Sequence, residues 1–204
     1  MMAAPYHIIS KNQSTLFKDK GSKFFAFSFF VSSENDIKVH LLALKKEHPS
    51  ATHHCYAWLL GADKIITRAN DDGEPSNTAG KPILAQIQSK GLVNCLVVVV
   101  RYFGGTLLGV NGLINAYKLA AAEVLAASAI QEYYPLKAFN IECDSAQLSI
   151  VMRSLKQLDA KILAHDFKEG YEIRFQLRAA NEQLLVEALK ENYSIKLIEL
   201  KIKE

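Results

Sequence analysis

Two stretches of the chain gather the residues best able to bind or react. The first reads Asp71-Asp72-Gly73-Glu74-Pro75-Ser76-Asn77-Thr78-Ala79-Gly80-Lys81-Pro82. The second reads Arg101-Tyr102-Phe103-Gly104-Gly105-Thr106-Leu107-Leu108-Gly109-Val110-Asn111-Gly112-Leu113. An apolar run rich in β-branched residues precedes each, and an apolar-periodic helix follows it. Glycine permits close backbone approach and positive φ, and a helix start offers unpaired N–H groups that favour anions. A site is expected at these two strand-to-helix joints.

The first stretch invites comparison with a P-loop and fails it. A P-loop has four residues between its first glycine and the Gly-Lys pair, then Ser or Thr. Six residues separate Gly73 from Gly80, and Pro82 follows Lys81, so the hydroxyl that would bind Mg²⁺ is missing. A milder reading survives, in which amides near the helix start, with Ser76, Thr78 and Lys81, hold a phosphate or carboxylate. The plainer alternative is turn chemistry, with Asp71, Asp72 and Thr78 as caps and Gly73, Asn77 and Gly80 as left-handed backbone. Asp71, Asp72 and Glu74 carry oxygen donors suited to a divalent cation. Three acids in one turn, with no histidine close in sequence, read instead as solvated side chains, so no metal is expected.

Thr52-His53-His54-Cys55 is the one cluster of histidine and cysteine. In a strand His53 and His54 face opposite sides, whereas His53 and Cys55 share one. A packed histidine beside a buried thiol is the expectation, since a nucleophilic cysteine needs a base and an orienting acid that the spacing does not supply. Arg101-Tyr102-Phe103 ends a run of four valines. Ligands sit at the carboxyl ends of strands in open α/β sheets, and arginine beside aromatic rings grips phosphate and stacks on bases. A core-edge aromatic pair with a capping arginine is the alternative.

Elements must position these groups. Phe24–Val31 reads as a strand, followed by a helix capped by Ser32 or Ser33 that buries Ile37, Leu41 and Leu44 and stops at Pro49. Thr52–Leu60 and Lys64–Ala69 form a hairpin across Gly61-Ala62-Asp63. Pro82 fits a first helical turn, and Leu96–Tyr102 is a strand buried on both faces. An alanine-rich helix runs from about Gly112 to Ser128. After Tyr133-Tyr134-Pro135 the pattern restarts as strand, helix, hairpin, helix and strand, the βαββαβ order of a ferredoxin-like module. The expected organisation is α+β: an N-terminal tail over 1–15, one domain over 16–134 and the ferredoxin-like domain over 135–204.

Composition narrows the class. Half the residues are hydrophobic, 22% are charged and the formal charge is +3, which is ordinary for a globular protein and short of a dense basic face. Three scattered cysteines, Cys55, Cys95 and Cys143, form no CxxC pair and favour a reducing compartment. No signal peptide and no membrane-spanning run is visible, so a cytoplasmic location without membrane contact is expected.

Lys20-Gly21-Ser22-Lys23-Phe24 and Ala51-Thr52-His53-His54-Cys55-Tyr56-Ala57-Trp58, with the two joints, resemble the IMPACT/YigZ family in its bacterial two-domain form. The strings Asp71–Ser76, Thr78–Leu84, Arg101–Gly105 and Leu108–Leu113, then Ala116-Tyr117, carry the resemblance over roughly residues 16–130. Asn111 departs from it, standing where the family usually has a second glycine; asparagine also tolerates left-handed backbone. The resemblance implies an N-terminal domain similar to the second domain of ribosomal protein S5. It also implies a C-terminal domain like the late ferredoxin-like domains of elongation factor G. Its eukaryotic members regulate translation by binding the activator of a stress-responsive kinase through protein contacts; they carry an extra N-terminal domain not seen in this sequence, so that partner is not carried over. It supplies no catalytic residues.

The leading expectation is a non-enzymatic factor that binds RNA or the ribosome and regulates translation, without cofactor. Its expected contacts are Asp72, Gly73, Glu74, Thr78, Gly80, Lys81, Arg101, Tyr102, Gly104, Gly105, Gly109 and Gly112. One alternative is an enzyme acting on a nucleotide or phosphorylated small molecule at the same joints, with Asp72 or Glu74 as base. Another is a protein-interaction module, whose sign would be an exposed apolar patch beside Tyr102 and Phe103.

Overall fold

The four valines set the architecture, because alternate residues of a strand face opposite sides and these leave no polar side. In the computed structural model, which describes residues 5–62, 64–191 and 194–200, one unit spans Tyr6–Tyr133. Its elements are β1 (Tyr6–Ile9), β2 (Gln13–Asp19), β3 (Ser22–Phe30), α1 (Glu34–Glu47), β4 (His53–Leu60) and β5 (Ile66–Asn70). Then follow α2 (Gly80–Ser89), β6 (Cys95–Tyr102), α3 (Gly109–Ala127) and β7 (Ile130–Tyr133). The main sheet runs β2-β3-β6-β4-β5, antiparallel throughout, and β1 pairs with β7 in a separate ribbon.

Strand β6 lies at the centre and faces two cores. Cys95, Val97 and Val99 join Phe24, Ala26, Cys55 and Ala57 under α2 and α3. Leu96, Val98 and Val100 join Trp58 under Ile37 and Leu44 of α1. Helix α2 contacts β4 and β5, while α3 contacts β2 and β3. Helix α1 starts in a reciprocal cap, in which Ser33 Oγ accepts from the Asp36 amide and Asp36 accepts from the Ser33 amide.

The second unit comprises Pro5 and the described residues from Tyr134 on. Its elements are β8 (Leu136–Cys143), α4 (Leu148–Gln157), β9 (Lys161–Phe167), β10 (Tyr171–Arg178), α5 (Glu182–Leu189) and β11 (Lys196–Leu200). The antiparallel sheet is ordered β11-β8-β10-β9. It has its own core of Phe139, Ile141, Val151, Leu155, Phe175 and Leu185. No helix among the described residues is long and apolar enough to cross a membrane.

Three local expectations change. Residues 6–15, read as part of a tail, carry β1 and the start of β2; β2 is an edge strand that leaves Gln13, Ser14, Leu16 and Lys18 exposed, so its sequence shows little apolar alternation. The alanine-rich helix starts three residues early, at Gly109. Asn111 lies in its first turn with ordinary helical backbone and not at positive φ, so its tolerance owes nothing to left-handed geometry. Asp63 and the expected strand end at Ile202 lie outside the described residues.

Candidate functional site

The two joints meet at a buried ion pair. Arg101 continues the odd face of β6 after Val97 and Val99, so its side chain enters the core under α3 and leaves solvent. There Nη1 donates to Glu74 Oε1 at 2.5 Å, and the two side chains are only 7% and 3% exposed. The hydroxyl of Tyr117, from α3, donates to the same oxygen at 2.8 Å. Arg101 Nη2 reaches Ser22 Oγ at 3.4 Å, which in turn accepts from the Gly104 amide at 3.2 Å.

His53 stands at the edge of this network. Its Nδ1–H donates to the Asp72 carbonyl at 2.8 Å, since a carbonyl oxygen can only accept. Nε2 lies 3.8 Å from Glu74 Oε1. Cys55, on the same face of β4, donates to the Asp71 carbonyl at 3.0 Å and approaches the Tyr117 hydroxyl at 3.3 Å. Burial pushes the Cys55 thiol far up, which favours its protonated form. Burial likewise pushes the Tyr117 phenol up, which keeps it a donor to Glu74. An ion pair buried this deeply gains little net stability from its mutual attraction, because both groups are desolvated.

The first joint is organised by Asp71, in the capping role that the turn reading gave it. The Asp71 carboxylate accepts from the amides of Asn77, Ala79 and Gly80 at 2.9, 3.0 and 2.8 Å. The Ala79 and Gly80 amides at the start of α2 are therefore engaged by Asp71 and unavailable to a phosphate. Asp72 accepts from the His54 amide at 2.7 Å and Thr78 donates to the Pro75 carbonyl at 2.7 Å. Gly80 sits against Asn70, whose amide nitrogen a Cβ would meet at 2.6 Å. Gly73 has φ +89° and adjoins the His53 ring. Lys81 is exposed.

At the second joint Tyr102 turns to the opposite face, where its hydroxyl meets His48 Nδ1 at 2.9 Å. Gly104 presses so close to Gly21 that a Cβ would fall 1.9 Å from that residue's carbonyl carbon. Gly105 and Gly109 have φ of +86° and +69° with open space at the Cβ position, and Gly112 packs against Leu108. Phe103, Leu107 and Val110 are 49%, 83% and 56% exposed. They flank a cavity of about 470 Å³ whose lining includes His53, Glu74 and Arg101. The structure thus joins Glu74 to Arg101, puts Asp72 and Gly73 against His53, and sends Lys81 and Tyr102 elsewhere. Tyr117 and Ser22 were not anticipated as partners, although Tyr117 lies at helical spacing from Leu113 on the face that α3 buries.

A mixed α/β protein with antiparallel sheets, two units and a polar cluster beneath an apolar cavity is the class so defined. Residues 20–125 match the Impact N-terminal domain, and the chain belongs to the IMPACT family. It is 37% identical over 163 residues to the IMPACT family member YigZ of Escherichia coli (strain K12), covering 79% of this chain and 80% of that one. To YvyE of Bacillus subtilis (strain 168) it is 34% identical over 151 residues, covering 74% and 70%. A crystal structure of a hypothetical protein aligns over 100% of both chains at TM-score 0.70 and 31% identity.

Proposed function

We propose that the chain is a cytoplasmic, non-enzymatic factor that regulates translation by contacting RNA or the ribosome. The observation that carries this reading is a basic hairpin tip. Lys20 and Gly21, at φ 43° and 81°, form the two-residue turn between β2 and β3, the geometry that suits right-twisted strands. Lys18 and Lys23 stand opposite each other beside it, and all three lysines are exposed. The turn backbone rests on Gly104, next to the half-exposed Phe103 ring. Lysines neutralise phosphates, and an exposed ring stacks on unpaired bases. This tip replaces Arg101 as the expected phosphate contact, because that guanidinium is engaged by Glu74. Lys81 remains a candidate contact on the neighbouring helix.

The fold reading goes with it. The element order and the β11-β8-β10-β9 arrangement support a ferredoxin-like domain over 135–204, similar to late domains of elongation factor G. The unit before it fits a ribosomal protein S5 domain 2-like domain. Phosphate-directed enzymology at the first joint loses support, since the Ala79 and Gly80 amides are committed to Asp71.

Co-sedimentation with ribosomal subunits and binding to their naked RNA, across a salt series, tests the reading. Wild type is expected to bind at low salt. Lys20→Glu with Lys23→Glu should weaken binding at least tenfold and flatten the salt slope by about two ions. Absence of binding at low salt removes the proposal. Binding that is indifferent to salt and to the lysines moves the contact to protein, through Phe103, Leu107 and Val110.

A further inference from the structure

Strand β9 and helix α4 of the second unit border a cavity of their own, independent of the lysine tip. We propose that this groove docks an acidic, extended segment of a partner protein, which adds to β9 as a further strand. Strand β9 ends the sheet order β11-β8-β10-β9, so its outer edge meets no strand among the described residues. Such an edge presents a row of unpaired backbone groups, a template for an incoming chain.

The helix side of that edge is apolar. Ile162, His165 and Phe167 stand opposite Phe175, Ile173 and Tyr171, which belong to the core or pack on it. Opposed residues share a face, so all three turn toward the helices, yet Ile162 and Phe167 remain 40% and 65% exposed. Beside Ile162 a cavity of about 500 Å³ opens against α4, walled by Met152, Leu155 and Ala160. Clefts of that size take whole small molecules, so an apolar side chain enters readily, and methionine adapts to its shape. A strand added to β9 would send alternate side chains to this side, one of them into the cavity.

Charge selects the occupant. Arg153 and Lys156, neighbours on α4, line the cavity, and no acid does. Lys161 begins the strand next to Ile162, and all three cations are exposed. The nearby acids Asp159 and Asp166 pair with Arg178 and Arg174, which leaves these three without an acid among the described residues. A second copy of this chain fits poorly, because antiparallel pairing of two β9 strands would set the cations of one α4 against those of the other. Leu163, an extra residue with no partner on β10, makes a bulge that also discourages pairing of like edges. Residues 164–167 remain as a regular run for an acidic strand. Nucleic acid has the charge but no apolar side chain for the cavity.

Titration of the ¹⁵N-labelled full chain, followed by NMR, tests this. The probe is a blocked heptapeptide of alternating glutamate and leucine, with its lysine–leucine counterpart, hexaglutamate and oligouridylate as comparisons. The probe should shift the amides of residues 164–167 saturably, and each comparison should bind at least tenfold more weakly. N-methylation of the probe's glutamates or of its leucines should act differently, one abolishing binding and the other sparing it, because alternate amides of an added strand face β9. Arg153→Glu with Lys156→Glu, at exposed positions, should keep the spectrum of the fold and weaken the probe at least tenfold. No saturable shift, equal binding of the lysine–leucine peptide or of hexaglutamate, indifference to both methylations, or unchanged affinity of the double variant each overturns the proposal. Tighter binding of oligouridylate overturns the polypeptide in favour of nucleic acid. A free chain that dimerises through β9 overturns the partner in favour of a second copy.

Discussion

Arg101 shows how one side chain's parity decides a function. Even positions of β6 face α1 and odd positions face α3, so Arg101 follows Val97 and Val99 inward and must carry its counter-charge with it. Glu74 supplies that charge from 27 residues away. Removing one partner should therefore cost far more than removing both: Arg101→Met is expected to destabilise the N-terminal unit by about 3–5 kcal/mol. Arg101→Met with Glu74→Gln should recover part of that, as a double-mutant cycle in urea would reveal. The pairing itself was not legible, since nothing in a sequence links positions 74 and 101. The burial of Arg101 was not anticipated either, since it was expected at the strand end to grip phosphate or to cap an aromatic pair. His54 gives a second prediction at this scale. Burial holds its folded-state pKa below the usual 6.5, so the unfolded chain takes up the proton first as pH falls. The contribution to stability is full above about pH 6.5 and drains away as pH falls toward the folded value. Melting temperatures measured from pH 7.5 to 5 should decline, and His54→Phe should lessen the slope.

Among elements, the joints are held by their backbones. Asp71→Ala strips two amides of the α2 start of their acceptor and should cost about 0.5–2 kcal/mol, read from denaturant midpoints. Gly104→Ala should cost more, because its Cβ would overlap the Gly21 backbone and the β2–β3 turn would have to move. Most helices and inner strands were legible from their periodicity: α1, α2, β4 and β6 each bury the residues that their spacing selects. The edges were not. Strand β2 is half solvated, and β1 finds its partner β7 more than 120 residues later, a pairing that local pattern cannot encode. The turn chemistry of Asp71 was readable as a cap, but the convergence of Tyr117 and Ser22 on the ion pair arises only once the sheet and α3 are packed.

For the whole molecule, two units that share no core imply two folding units. A fragment of residues 134–204 is expected to give a dispersed NMR spectrum by itself, since its core draws on no residue before Phe139; a collapsed spectrum would contradict that. Within the first unit, the placement of β6 has a consequence for synthesis. The hairpins β2–β3 and β4–β5 are complete by Asn70, yet their inner edges pair only with Cys95–Tyr102. A nascent chain must hold two half-sheets apart, each with an open edge that invites wrong partners, until the valine strand arrives and closes both at once. Birth of the protein is thus timed by its seventh strand-or-helix neighbour in line after β1, and a chain stalled before residue 95 should be captured by chaperones, whereas one released beyond α3 should not.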